Sequence, residues 1–257
     1  MSVHYEVRDR VARVTIDRPE VMNAIDQKTE AALERVWCDI EERDDISVAV
    51  LTGAGEKAFS VGADMKDSSL SGLEYWAAPR PNGFGGITFR RSLDVPLIAR
   101  VNGYALGGGF EMVLGADIVL ASETAKFGLP EARVGRMPLD GGMVMLQRKI
   151  PHNLAMGVML GGRRIDAATM ERFGLVNEVA GQGELDAVTE RWVEDIAASA
   201  PLSLRAIKQV VNRTGHLSPR EAQAMKLPAV VKALKSADAD EGVRAFLEKR
   251  APVWQGA

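Results

Sequence analysis

The sequence predicts an α/β body that passes into a helical C-terminal region. Three observations carry this. The chain up to Gly53 reads as strand, strand, amphipathic helix and buried strand, an α/β opening. After about Gly141 apolar residues recur mainly at helical spacing. The 257 residues are 46% hydrophobic and 26% charged, an ordinary globular composition. A chain of this length buries roughly three-quarters of its unfolded surface and needs no covalent staples.

The elements follow in order. Tyr5 and Val7, then Val11, Val14 and Ile16, alternate as two short strands around a turn at Asp9-Arg10, and Arg18-Pro19 closes the second. Leu33, Val36, Trp37 and Ile40 predict an amphipathic helix over about 28–43. Residues 48–51, Val-Ala-Val-Leu, form a buried-type strand closed by Thr52-Gly53. Residues 66–95 are rich in Ser, Gly and Pro with scattered aromatics, a long loop with room for one helical turn. Such loops inside a domain serve as lids or binding loops. Residues 96–101 predict a strand and Asn102-Gly103 a turn; Leu106-Gly107-Gly108-Gly109 then leads into a buried helix over 110–114. Short strands follow at 118–120 and 125–127, and a turn at Gly128-Leu129-Pro130 precedes Glu131. In the helical remainder a strand is predicted at 175–179. Leu185, Val188, Trp192 and Ile196 mark one helix, and Ser218-Pro219-Arg220-Glu221 opens another as a capping box with Pro at its first position. Asp238-Ala239-Asp240-Glu241 repeats the acidic helix-start signal, and no linker divides the chain.

Composition narrows the function classes. Thirty-two basic against 35 acidic residues give a net charge of -3, so nothing draws the chain generally to nucleic acid or an anionic membrane. A single cysteine, Cys38, rules out an intramolecular disulfide and a cysteine zinc site. His4, His152 and His216 lack metal-ligand spacing, no apolar run reaches the ~18 residues of a membrane span, and the N-terminus lacks a signal-peptide core. The expectation is a cytoplasmic protein with no metal.

The motifs divide into weak and informative. Gly53-Ala54-Gly55-Glu56-Lys57-Ala58 has the form of a dinucleotide fingerprint, but residues 59–64 make a poor helix start. Neither a serine-hydrolase elbow nor a Walker A sequence occurs. Gly107-Gly108-Gly109 reads either as close helix packing or as a helix start whose free N–H groups meet an oxyanion. Glu111 sits among Phe110, Met112, Val113 and Leu114, where a carboxylate is costly unless it is paired or functional. It is a structural ion-pair partner or a general acid/base of raised pKa. Glu131, taken alone, reads as a solvated loop acid; it becomes interesting if the intervening strands return it to Glu111.

The sequence resembles the crotonase superfamily, the enoyl-CoA hydratases and isomerases. The resemblance is carried by residues 57–66 (KAFSVGADMK), 101–111 (VNGYALGGGFE), 127–131 (FGLPE) and 246–250 (FLEKR), in order along most of the chain. It implies a superhelix of ββα units over about 1–195 and a helical trimerisation region over 196–257, with homotrimers or hexamers of two stacked trimers. It also implies an acyl-CoA thioester as substrate, with CoA part of that substrate and no separate cofactor.

Matched residue by residue, the resemblance implies that the N–H groups of Ala63 and Gly108 polarise the thioester carbonyl. Glu111 and Glu131 then handle water and the α-proton. Lys57, Ala58, Asp64, Lys66 and Lys249 match positions near the CoA moiety, although each lysine also reads as a solvated surface charge. Two departures stand out. Glu20 replaces a lysine common in relatives. Leu139 and Asp140 stand where typical hydratases have small residues, so these two and Trp76 are the candidates for the acyl end. The implied activity is reversible hydration of a 2,3-enoyl-CoA. Phe110-Glu111 and the ending 246–256 look most like the carnitinyl-CoA dehydratase branch, with Tyr75 and Trp76 as candidate aromatic contacts to a cationic acyl group. The resemblance is also compatible with enoyl-CoA isomerisation and with non-catalytic acyl-CoA binding.

Overall fold

Successive turns of the chain lay one strand in a large sheet and the next in a small one. The structure, a computed structural model, describes residues 2–66, 72–78 and 80–256. The hairpin β1 (Val3–Arg8) and β2 (Val11–Ile16) starts the large sheet. Asp9 and Arg10 both take positive φ at its turn. After α1 (Gln27–Glu42), β3 (Val48–Gly53) joins the large sheet and β4 (Ala58–Ser60) the small one. The pattern repeats with β5 (Leu97–Val101) and β6 (Tyr104–Leu106), followed by α3 (Gly108–Leu114). It repeats again with β7 (Ile118–Ser122) and β8 (Lys126–Gly128). The large sheet runs β1-β2-β3-β5-β7-β10 and the small sheet β4-β6-β8-β9, where β9 is Ile165–Asp166 and β10 Glu178–Ala180. From β2 to β10 the large sheet is parallel.

The unbroken apolar run of β3 follows from this topology. Ala49 and Leu51 face the main core, whereas Val48 and Val50 face a second cluster under α7 (Leu185–Ala197). An interior parallel strand covered on both faces has no polar side to show. The main core receives Leu33, Trp37 and Ile40 from α1, which Asp26 caps by accepting from Thr29 N at 2.7 Å.

The long loop is more ordered than its composition suggests. Within it lie α2 (Gly72–Ala77) and a 3-10 turn at Phe84–Gly86; residues 67–71 and 79 fall outside the described set. Trp37 Nε1 donates to Gly85 O at 2.8 Å. Arg90, buried, pairs with Glu34 at 2.9 Å and Glu41 at 2.6 Å on α1. These contacts pin the loop's second half beside the start of α3.

The fingerprint-like 53–58 connects β3 to β4 and opens no helix, in keeping with the poor helix start that follows it in the sequence. One expectation needs correcting. The strand placed at 175–179 begins only at Glu178, because Leu175 and Val176 still donate back to Met170 O, closing the turn after α6 (Ala167–Arg172). Helices α4 (Gly142–Lys149) and α5 (His152–Gly161) precede that turn. After α7 come α8 (Pro201–Thr214), α9 (Pro219–Ala224), α10 (Pro228–Leu234) and α11 (Ala237–Glu248). The capping box at Ser218 and Glu221 is formed. No helix among the described residues is long and apolar enough to cross a membrane.

Candidate active site

The candidate site lies where the end of β4 meets the start of α3. Gly62 has φ +91°, and a methyl group there would sit 2.9 Å from the Gly108 nitrogen. Only glycine permits that approach. Among the described residues neither Ala63 N–H nor Gly108 N–H has a hydrogen-bond acceptor. Gly108 is the first residue of α3, where N–H groups lack intrahelical partners and the helix dipole favours negative charge. Phe84, buried, packs its ring against Gly108.

Glu111 follows on the same helix, one turn in and 3% exposed. Its Oε1 accepts from Asp140 N at 3.0 Å and Gly142 N at 2.8 Å, ahead of α4. Burial pushes its pKa up to about 8, helped by the charges of Asp140 and Glu131 and opposed by those two N–H groups. Glu131 opens the 3-10 turn Glu131–Val134 after β8. A methyl on Gly107 would sit 3.0 Å from its Oε1, so the glycine lets the carboxyl come close. Oε2 of Glu131 is buried and has no partner, and burial raises this group's pKa as well. The parallel pairing of β6 with β8 brings the two glutamates together across 20 residues. Burial makes both carboxylates more basic than a free glutamate, which suits proton exchange with substrate or water near neutral pH.

Asp140, 7% exposed, receives a hydrogen bond from the Tyr75 hydroxyl on α2. Burial raises the Asp140 pKa against the opposing effects of Tyr75 and Arg80. The Arg80 guanidinium stacks over the Tyr75 ring at 4.4 Å and pairs with Glu30 of α1. This network joins α1, α2 and the Asp140 turn. Arg80 and Glu30 carry no sequence signal, because their partners lie about 50 residues apart in the chain. Of the two loop aromatics, Tyr75 meets Asp140, whereas Trp76 is 67% exposed. Leu139, half-buried, precedes Asp140.

The expected CoA contacts separate. Lys57 and Ala58 line a cleft of about 320 Å³ beside β4, with Pro19, Met22, Gly55 and Glu56. Lys66 is exposed, and its backbone N donates to Asp64 Oδ1 at 3.1 Å. The Asp64 carboxylate is committed to Arg18 at 3.1 Å, so it anchors its own loop. Lys249 caps α11 in a left-handed conformation; no contact among the described residues joins it to the cleft. No cluster of three metal-ligating side chains occurs among the described residues.

Known proteins are similar to this chain along their whole length. A carnitinyl-CoA dehydratase from Salmonella typhi is 39% identical over 259 residues, covering 99% of this chain and 98% of the relative. One from Shigella flexneri has the same identity and coverage. Among solved structures, the enoyl-CoA hydratase from Mycobacterium tuberculosis H37Rv superposes with a TM-score of 0.91 at 34% identity, covering 100% of this chain and 99% of that one. An enoyl-CoA hydratase from Bacillus anthracis reaches 0.93 at 29% identity, with both chains fully covered. The family described as enoyl-CoA hydratase/isomerase matches residues 6–257. With the crotonase fold, the paired glutamates and a family match over nearly its whole length, the chain belongs to the enoyl-CoA hydratase/isomerase family.

Proposed function

We propose that the protein catalyses the reversible addition of water across the 2,3 double bond of an enoyl-CoA thioester. One observation carries this reading: Glu111 and Glu131, both of raised pKa, converge beside the glycine turn that opens α3. The thioester oxygen accepts from the N–H groups of Ala63 and Gly108, and preorganised donors stabilise the enolate charge that develops there. With Oε1 of Glu111 held by two N–H groups, its second oxygen is left to take the proton of the attacking water. The water oxygen bonds to the β-carbon, the π electrons move to the enolate, and the α-carbon takes a proton from Glu131. The reverse sequence dehydrates the 3-hydroxyacyl-CoA. Both carboxyls regain their starting states through one proton exchanged with water. Lys57, Ala58, Lys66 and Lys249 are the candidate contacts to CoA. CoA is part of the substrate, and the scheme needs no other cofactor.

A second reading, dehydration of carnitinyl-CoA, is favoured by the 39% identity to the dehydratases and by the buried acidic Asp140, our candidate for the acyl end. The C-terminal helices, taken as a region over 196–257, present exposed Ile207, Val211, Leu234, Phe246 and Leu247, which suits a homotrimer or a hexamer of two trimers. A cytoplasmic location fits a chain whose single cysteine forms no intramolecular disulfide.

The deciding experiment follows loss of the 2,3-unsaturation absorbance with crotonyl-CoA and with crotonobetainyl-CoA. Turnover of crotonyl-CoA supports the hydratase, and a strong preference for crotonobetainyl-CoA supports the second reading. Tight acyl-CoA binding with no turnover of either refutes both.

A further inference from the structure

We infer that Arg18 is a positioning residue for the oxyanion donor Ala63: its guanidinium fixes the peptide plane that carries the Ala63 N–H. The inference rests on the proposed role of that N–H.

The Gly62–Ala63 peptide is planar and trans, so its C=O and N–H point in opposite directions. Gly62 O accepts from Ile25 N at 2.8 Å, and Asp64 N donates to Ile25 O at 2.9 Å. Together they form an isolated parallel bridge between Ile25 and Ala63, outside both sheets. With the carbonyl tied to Ile25, the N–H is turned away from it. The donor is therefore aimed only as firmly as the Ile25 segment is held.

Arg18 does the holding from both sides of the bridge. Nη1 donates to Ala24 O at 2.7 Å, the residue before Ile25. Nη2 pairs with Asp26 at 3.3 Å, the residue after Ile25. The same nitrogen donates to Asp64 Oδ2 at 3.1 Å, the residue after Ala63. The Arg18 side chain is 17% exposed and its two carboxylate partners 21% and 15%, so solvent screens the cluster only partly. Arg18 N also donates to Asn23 Oδ1 at 3.0 Å, which fixes the base of the side chain. A planar fork reaching three oxygens on two segments is geometry a lysine ammonium does not reproduce. Among the described residues the bridge has only these two hydrogen bonds, so no sheet ladder supplies a substitute.

The test compares Arg18→Met, Arg18→Lys and Asp64→Asn with wild type. Four readouts are taken: kcat and KM for crotonyl-CoA, the affinity for unreactive butyryl-CoA, the enolate absorbance of bound acetoacetyl-CoA, and the thermal midpoint. A catalytic group displaced by about 1 Å loses roughly 10²-fold in rate. Arg18→Met is expected to lose about 10–100-fold in kcat and most of the enolate absorbance, while butyryl-CoA affinity stays within about twofold because ground-state binding makes little use of the donor. Arg18→Lys recovers part of both, and Asp64→Asn falls between. A folded Arg18→Met with wild-type kcat and enolate absorbance overturns the inference. So does parallel loss of butyryl-CoA affinity and kcat, which marks a purely structural residue. If Arg18→Met does not fold, the other two variants decide on the same readouts. A wild type inert toward every enoyl-CoA refutes the hydratase reading instead, and the enolate absorbance still judges Arg18.

Discussion

Gly62→Ala is a one-methyl perturbation of the proposed oxyanion hole. Gly62 sits at φ +91°, where an alanine is strained by about 1–2 kcal/mol. The new Cβ lies 2.9 Å from Gly108 N and 3.1 Å from Leu106 O, both backbone atoms that cannot rotate aside. The Gly62–Ala63 segment must therefore move away from Gly108, widening the gap between the two donors. Overpacking of this kind adds about 1–3 kcal/mol. At about 2–4 °C per kcal/mol for a chain of this size, the thermal midpoint should fall by roughly 4–20 °C. If one donor is lost from the thioester oxygen, kcat falls by about 10²–10³-fold. Gly157→Ala, inside α5 with nothing within 4 Å of the added carbon, is the control and should match or slightly exceed wild-type stability. Calorimetry and crotonyl-CoA kinetics on both variants make the comparison. A Gly62→Ala protein with unchanged kcat and midpoint would refute the close approach of these segments as the basis of the site.

Glu111→Gln and Glu131→Gln should each lower the hydration rate by ~10²–10⁴-fold while acyl-CoA binding survives; near wild-type turnover removes that residue from the mechanism. The raised pKa of Glu111 also has a stability consequence. A carboxyl titrating near 8 when folded and near 4.5 when unfolded favours the fold fully below pH 4.5 and loses that contribution as pH rises through 8. Glu111→Gln removes the dependence, so its midpoint should gain on wild type steadily between those pH values; parallel melting curves across that range would contradict the burial argument. Removing the Asp140 charge with Asp140→Asn should shift the Glu111 limb of the pH–rate profile to lower pH, since like charges there raise its pKa. Tyr75→Phe and Asp140→Ala should change the ratio of kcat/KM between crotonyl-CoA and crotonobetainyl-CoA by up to roughly thirtyfold, with the same comparison on exposed Trp76→Ala staying near unity. A constant ratio in all three would move the acyl end elsewhere.

The sequence by itself determined the elements whose cause is local. Alternation marked β1 and β2, the apolar stripe of Leu33, Trp37 and Ile40 marked α1, and Ser218 with Glu221 marked the start of α9. The KAFSVGADMK, VNGYALGGGFE, FGLPE and FLEKR segments identified the family and, through it, Ala63, Gly108, Glu111 and Glu131 as the candidate site. What neighbouring residues could not encode was pairing across the chain. The strand expected at 175–179 starts late because the Met170 carbonyl, five residues back, still holds Leu175 in a turn. Tyr75 rather than Trp76 reaches Asp140 because α2 turns only one of two adjacent aromatics inward, and a six-residue helix in an irregular loop has no periodicity from which to read its buried face. Asp64 matches a position near the CoA moiety in the sequence, whereas the partner of its carboxylate, Arg18, lies 46 positions earlier and has no local signal. Local propensity is written in adjacent side chains, whereas a carboxylate's partner depends on where the sheets bring distant segments together, and only the tertiary structure decided that.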